Sequence, residues 1–149
     1  MLNTCGLPGD TVTQTLQPID ALRDNHDRLR TIMREYAAVL AARPDDIRAA
    51  LLGRRGDFSQ IFSSHIAAER AAARIVLSPD AVRAAEHEML ALFRDYSAHI
   101  RAWTPALIEA EWPTYVAAVL ALQVRLRRRF DWAERELFPR LRHAPAAAA

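Results

Sequence analysis

No lysine occurs in this chain: all twenty basic side chains are arginine, set against eighteen acids, so the net charge is only +2 and no general affinity for polyanions is demanded. Glycine is scarce, at four residues, while alanine is abundant; this composition favours helix over turn-rich β architecture. The single cysteine, Cys5, excludes an internal disulfide framework and fits a reducing compartment. No apolar run is long enough to span a bilayer and no charged segment followed by a hydrophobic stretch opens the chain, so it reads as a soluble cytoplasmic protein with no membrane partner. Also missing are a Ser/His/Asp or Cys/His arrangement, a glycine-rich phosphate loop and a zinc-type cysteine pair, which leaves no catalytic residues to name.

What is present is helical periodicity. With 149 residues, half of them apolar, the chain is sized for one domain with its own core. Residues 1–17 and 143–149 lack apolar periodicity and read as a flexible leader and tail around a domain at 18–142. Ile19, Leu22, His26, Leu29, Met33, Tyr36 and Leu40 recur at helical spacing up to Arg43-Pro44 and define a first helix. Asp45-Asp46 caps a short segment expected to end near Gly53 and Gly56, and Asp57 with Gln60 resembles a capping box for a second long helix. Ser78-Pro79-Asp80 opens a third, running to Trp103. Thr104-Pro105 restarts the chain, and Pro113 either opens the fourth helix or kinks a longer one carrying Val116, Val119, Leu120, Leu126, Phe130, Leu137 and Leu141. Four amphipathic helices with short connections predict an all-α fold, an antiparallel four-helix bundle.

The second helix breaks the apolar rule in one place. At about 100° per residue, Phe58, Ile61, Phe62, Ala72 and Val76 form one stripe, and His65 and Glu69 fall near its centre. A buried carboxylate costs several kcal/mol unless neutralised, paired or bound to a cation, so this face needs a partner from elsewhere in the chain or from solution. His and Glu one helical turn apart supply two inward ligands to metal sites in bundles, and His26, on the buried stripe of the first helix, makes a third.

These residues lie in segments that resemble the hemerythrin-like, HHE cation-binding family. Asn25-His26-Asp27-Arg28-Leu29 is similar to its first-helix histidine motif, Phe62-Ser-Ser-His65-Ile-Ala-Ala-Glu69 to its second, Glu86-His87-Glu88-Met89-Leu90 to its third, and Glu134-Arg-Glu-Leu137-Phe138-Pro139 to the end of its fourth helix. The resemblance implies a bundle around non-heme iron, one ion or two, serving to bind or sense oxygen or nitric oxide, to sense iron or to repair oxidised iron centres. Carried over residue by residue, it implies His26, His65, Glu69, His87 and Glu134 as metal ligands. The family's final His-x-x-x-Glu is replaced by Arg129 and Ala133. By helical angle His87 lies well away from the centre of the third stripe, where Glu86 faces inward instead, and His99 falls on the surface.

Two functions follow. One is a hemerythrin-like protein holding iron at a partial site. The other is a metal-free bundle, a protein-interaction or regulatory module, in which Arg129 supplies the charge of the missing metal and pairs with Glu69, Asp131 or Glu134. Arg125, Arg127, Arg128 and Arg129 cannot share one helical face, so three should be solvated and one inward; without an aromatic platform, nucleic acid is not an expected partner. Trp103, Trp112 and Trp132 read as packing residues.

Overall fold

A computed structural model describes residues 18–143. It is all-helical, with no strand among the described residues; the expectations for residues 1–17 and 144–149 lie outside them. Helix α1 spans Pro18–Ala42, α2 Ile47–Val76, α3 Pro79–Ala102, α4 Pro105–Ala110, α5 Trp112–Trp132 and α6 Phe138–Arg142, with a π-helical turn, Ala133–Leu137, joining the last two. No helix among them is long and apolar enough to cross a membrane.

The stops and starts have local causes. Arg43 takes a left-handed backbone (φ 45°) directly before Pro44, which ends α1. The Asp46 carboxylate accepts from the Ala49 N–H at 3.0 Å and opens α2; Ser78 and Thr104 do the same for α3 and α4, each followed by proline in the first turn. Pro113 lies in the first turn of α5, so it opens that helix.

One boundary differs from the sequence reading: α2 runs unbroken through Gly53 and Gly56, and Asp57 caps nothing. Each interior glycine costs about 1 kcal/mol relative to alanine. Leu51 and Phe58, both buried, flank them on the core side, and burying a large apolar side chain contributes about 1.5–3 kcal/mol, which outweighs the local penalty. Leu120, expected on the buried stripe of α5, is 42% exposed.

Helix α1 packs on α2 and α5, and α3 packs on the same two helices. Three clusters fill the interior. Tyr36, Leu40, Leu51, Trp112 and Tyr115 occupy one end; Leu29, Phe62, Met89, Leu126 and Phe130 the middle; Ile19, Leu22, Ala72, Leu137 and Phe138 the other end. The start of α1 therefore meets the end of α2 and the π turn, so α1 runs opposite to α2 and to the C-terminal segment. His26 sits between Leu22 and Leu29, and His65 and Glu69 between Phe62 and Ala72, which places all three at the join of the middle and end clusters.

Candidate metal centre

His26 and His65 are wholly buried and Glu69 is 1% exposed. Their inward atoms converge: His26 Nε2 lies 3.0 Å from His65 Nε2, which lies 2.9 Å from Glu69 Oε2, and one donor atom from each residue falls within 4.8 Å of the others. Phe130 of α5 and Phe138 of α6 pack on His26 with tilted rings, centroids at 4.6 and 5.0 Å, and cover that side of the site.

The other two inward candidates from the C-terminal segment serve this cluster from outside. Arg129, on α5, is 8% exposed; its Nη2 donates to Glu69 Oε1 at 2.6 Å while its guanidinium lies 4.1 Å from the centre of the Trp132 ring. Glu134, in the π turn, is partly exposed and accepts from His26 Nδ1 at 2.9 Å, on the side of the ring facing away from His65. Arg30 holds Glu134 through both guanidinium nitrogens and also donates to Asp131 at 2.8 Å. Glu134 is thus a partner of His26 and lies outside the converging set.

Two sequence expectations fall elsewhere. His87 is on the exposed side of α3 and is not brought to the cluster, because the buried positions of that helix are Ala85, Met89, Leu92 and Tyr96. Glu86 does not reach it either; it pairs with Arg74 at 2.8 Å and Arg70 at 3.5 Å across the α2–α3 seam. Arg125, Arg127 and Arg128 are exposed and only Arg129 points inward. His99 is half-buried, stacked on Tyr115, and does not lie on the open surface.

Proton accounting defines the chemistry. If His26 Nδ1–H donates to Glu134, His26 Nε2 carries a lone pair, and His65 Nε2–H then faces two acceptors, His26 Nε2 and Glu69 Oε2. Three lone-pair atoms share one proton. Burial pushes the His26 pKa down, against the bond to Glu134, which keeps the ring neutral near pH 7. Burial pushes the Glu69 carboxyl up, but the His65 bond and the Arg129 charge outweigh it and hold its pKa below the usual carboxylate range.

The donor set fits a metal ion. Two imidazole nitrogens and a carboxylate oxygen suit non-heme iron and zinc, and ligands about 2.1 Å from an ion at right angles to each other stand about 3 Å apart. The observed separations are 3.0 and 2.9 Å. His26 also has the carboxylate partner on its outer nitrogen that metal-bound histidines commonly have. His65 lacks one: its Nδ1 is buried without a partner.

The i,i+4 pattern exposed His65 and Glu69, and the same spacing, His26 to Arg30, brings Arg30 beside His26. Nothing in the sequence places Glu134 on His26, since a π turn carries about one extra residue per turn and shifts the register that a helical wheel assumes. No family model, curated protein or solved structure matches this chain.

Proposed function

We propose that this chain is a hemerythrin-like, antiparallel four-helix bundle that holds a single divalent metal ion, non-heme iron by resemblance, and binds or senses a small molecule such as oxygen or nitric oxide. The convergence of His26, His65 and Glu69 in the buried core carries this reading. Three protein ligands leave coordination positions open, and an iron ion there would supply Lewis acidity and a binding position for a small ligand. The protein's own contribution is to orient His26 through Glu134 and Arg30, to exclude water with Phe130 and Phe138, and to hold Glu69 in place from Arg129.

A single ion is favoured over two because Arg129 stands at the fourth-helix histidine position of the family pattern. Its fixed positive charge lies against Glu69 and would repel a second cation brought beside that carboxylate. Anaerobic calorimetric titration of the apo-protein with Fe(II) tests the reading. One ion per chain is expected, reduced at least tenfold in affinity by His65→Ala. A folded protein with no heat of binding above the dilution control refutes it.

The Arg129–Glu69 contact also favours a second reading, a metal-free interaction or regulatory module. Here guanidinium permanently takes the cation's place and His65 shares its proton with His26 and Glu69. The same titration separates the two.

A further inference from the structure

A chamber lies towards the other end of the interior from the His26–His65–Glu69 cluster. Tyr36, at its edge, is about 15 Å further along α1 than His26, at about 1.5 Å per residue. The chamber has a volume of about 50 Å³ and is bounded by α1, α2, α3 and α5. Ile32, Met33, Phe58, Val119, Leu122 and Leu126 are among its walls, and the surface it offers to a guest is almost wholly apolar.

The polar side chains around it are turned to other partners. The Tyr36 and Tyr115 hydroxyls bond to one another, Tyr96 bonds to Ser59 at 2.6 Å, and Gln123 Nε2 donates to Met33 O at 3.0 Å. Arg54 donates to Ala50 O at 2.7 Å, and Arg55 to Trp103 O at 3.1 Å and Ile100 O at 3.0 Å. The Nε atoms of both arginines lack a hydrogen bond, but neither is accessible even to a water molecule, so neither faces the chamber. His99 stacks on Tyr115, and burial keeps its ring neutral near pH 7. A water molecule needs two to four polar partners to be held in a cavity, and these walls do not supply them. Left empty, the chamber deprives its lining of dispersion contacts on one side.

We propose that this chamber is a binding site for an uncharged, apolar molecule of three or four heavy atoms, a small hydrocarbon in chemical class, held by contact with Phe58, Val119, Leu122 and Leu126. Size sets the limits. At about 10–15 Å³ for each water-sized group the chamber holds about four such groups, and it has about a third of the roughly 150 Å³ that accepts benzene in an apolar protein cavity. A diatomic gas would leave about half of the space unfilled and forfeit the corresponding contacts. A polar guest of the right size would give up its hydrogen bonds to water for walls that return none. The site stands apart from the His26–His65–Glu69 cluster and does not depend on metal binding there.

The test is titration of the metal-free full chain with propane, cyclopropane, isobutane and benzene, and with acetamide and sodium acetate as polar molecules of matching size, followed by methyl and aromatic proton resonances. Saturable one-to-one binding of propane, cyclopropane or isobutane is expected, with shifts at the Met33 methyl and the Phe58 ring and none at the His26 and His65 rings. Acetamide and acetate should bind at least tenfold more weakly, and benzene should be excluded. Val119→Leu and Leu122→Phe each add volume to a wall without changing charge, and at least one of them should weaken cyclopropane several-fold; the size and polarity series on the unaltered chain stands even if neither variant folds. No saturable binding of any of the three small hydrocarbons, acetamide binding as tightly as they do, shifts confined to residues away from the chamber, or unchanged cyclopropane affinity in both folded variants would each overturn the proposal.

Discussion

Removing Arg129 separates the two functional readings. Arg129→Met keeps most of the side chain's length but leaves the Glu69 carboxylate in the core with only His65 as a partner. Opposite charges about 4 Å apart interact by about 4 kcal/mol at an effective dielectric constant of about 20. Measured losses on removing one partner of a buried pair are about 3–5 kcal/mol. Both partners here are almost fully buried, so solvent screening does not reduce that figure much. The variant should therefore lose about 3–5 kcal/mol, a large part of the about 5–15 kcal/mol that stabilises a domain, and melt about 10–15 °C lower.

A divalent ion should reverse that loss. With the guanidinium gone, the ion meets a free carboxylate and two imidazoles, and at 100 times its Kd it returns about 2.7 kcal/mol by mass action. Urea denaturation of wild type and variant, each with and without Zn(II) or anaerobic Fe(II), measures both effects. The metal reading requires the ion to stabilise Arg129→Met more than wild type. An ion that stabilises neither protein refutes it and leaves the metal-free module. A loss under 1 kcal/mol without metal would show that the Arg129–Glu69 pair does not anchor this core.

Other expectations follow from the same geometry. Restoring the family pattern with Arg129→His and Ala133→Glu should raise metal stoichiometry above that of the parent, read by elemental analysis; a folded variant with unchanged stoichiometry counts against Arg129 as the block. Tyr36→Phe should cost about 1–3 kcal/mol by leaving the buried Tyr115 hydroxyl unpaired, while Tyr36→Phe with Tyr115→Phe should be closer to wild type than the single variants' sum, checked by a double-mutant cycle. Acid should destabilise the apo-protein in two stages. His99 is held down to about 4 by burial and then by Arg55, so the unfolded chain binds its proton first and stability falls as pH drops from about 6.5 towards 4; His26, also held down by burial, adds to this stage, so His99→Gln should reduce it without removing it. Glu69, held below its ordinary value, contributes stability that is present above about pH 4.5 and lost as pH falls through its folded pKa; stability that rises on acidification would contradict both assignments.

The legible part of this molecule was its helical periodicity. Apolar stripes, Ser78 and Thr104 caps and the Arg43-Pro44 stop located the long helices, and two polar residues on an apolar stripe located the core of the site. What stayed hidden depends on pairing over long sequence distance. Glu134 meets His26 across 108 positions, and the π turn that carries it follows no simple period. His99 looked external on the helical wheel of the third helix, yet Trp103, just past the end of that helix, and Tyr115 of α5 cover it. Gly53 and Gly56 suggested a break because local propensity was weighed without the packing of Leu51 and Phe58 that overrides it. The pairing of Tyr36 with Tyr115 left no sequence signal, since both occupy ordinary apolar positions.

X-ray absorption at the metal edge of the iron-loaded protein tests the central claim most directly. One ion per chain with two imidazole nitrogens and a carboxylate oxygen at about 2.0–2.2 Å, no metal–metal scatterer, and loss of an imidazole in His26→Ala is the predicted result. A folded protein that retains no stoichiometric metal, or an ion whose shell is unchanged when His26 or His65 is removed, would contradict the assignment of this cluster as a metal centre.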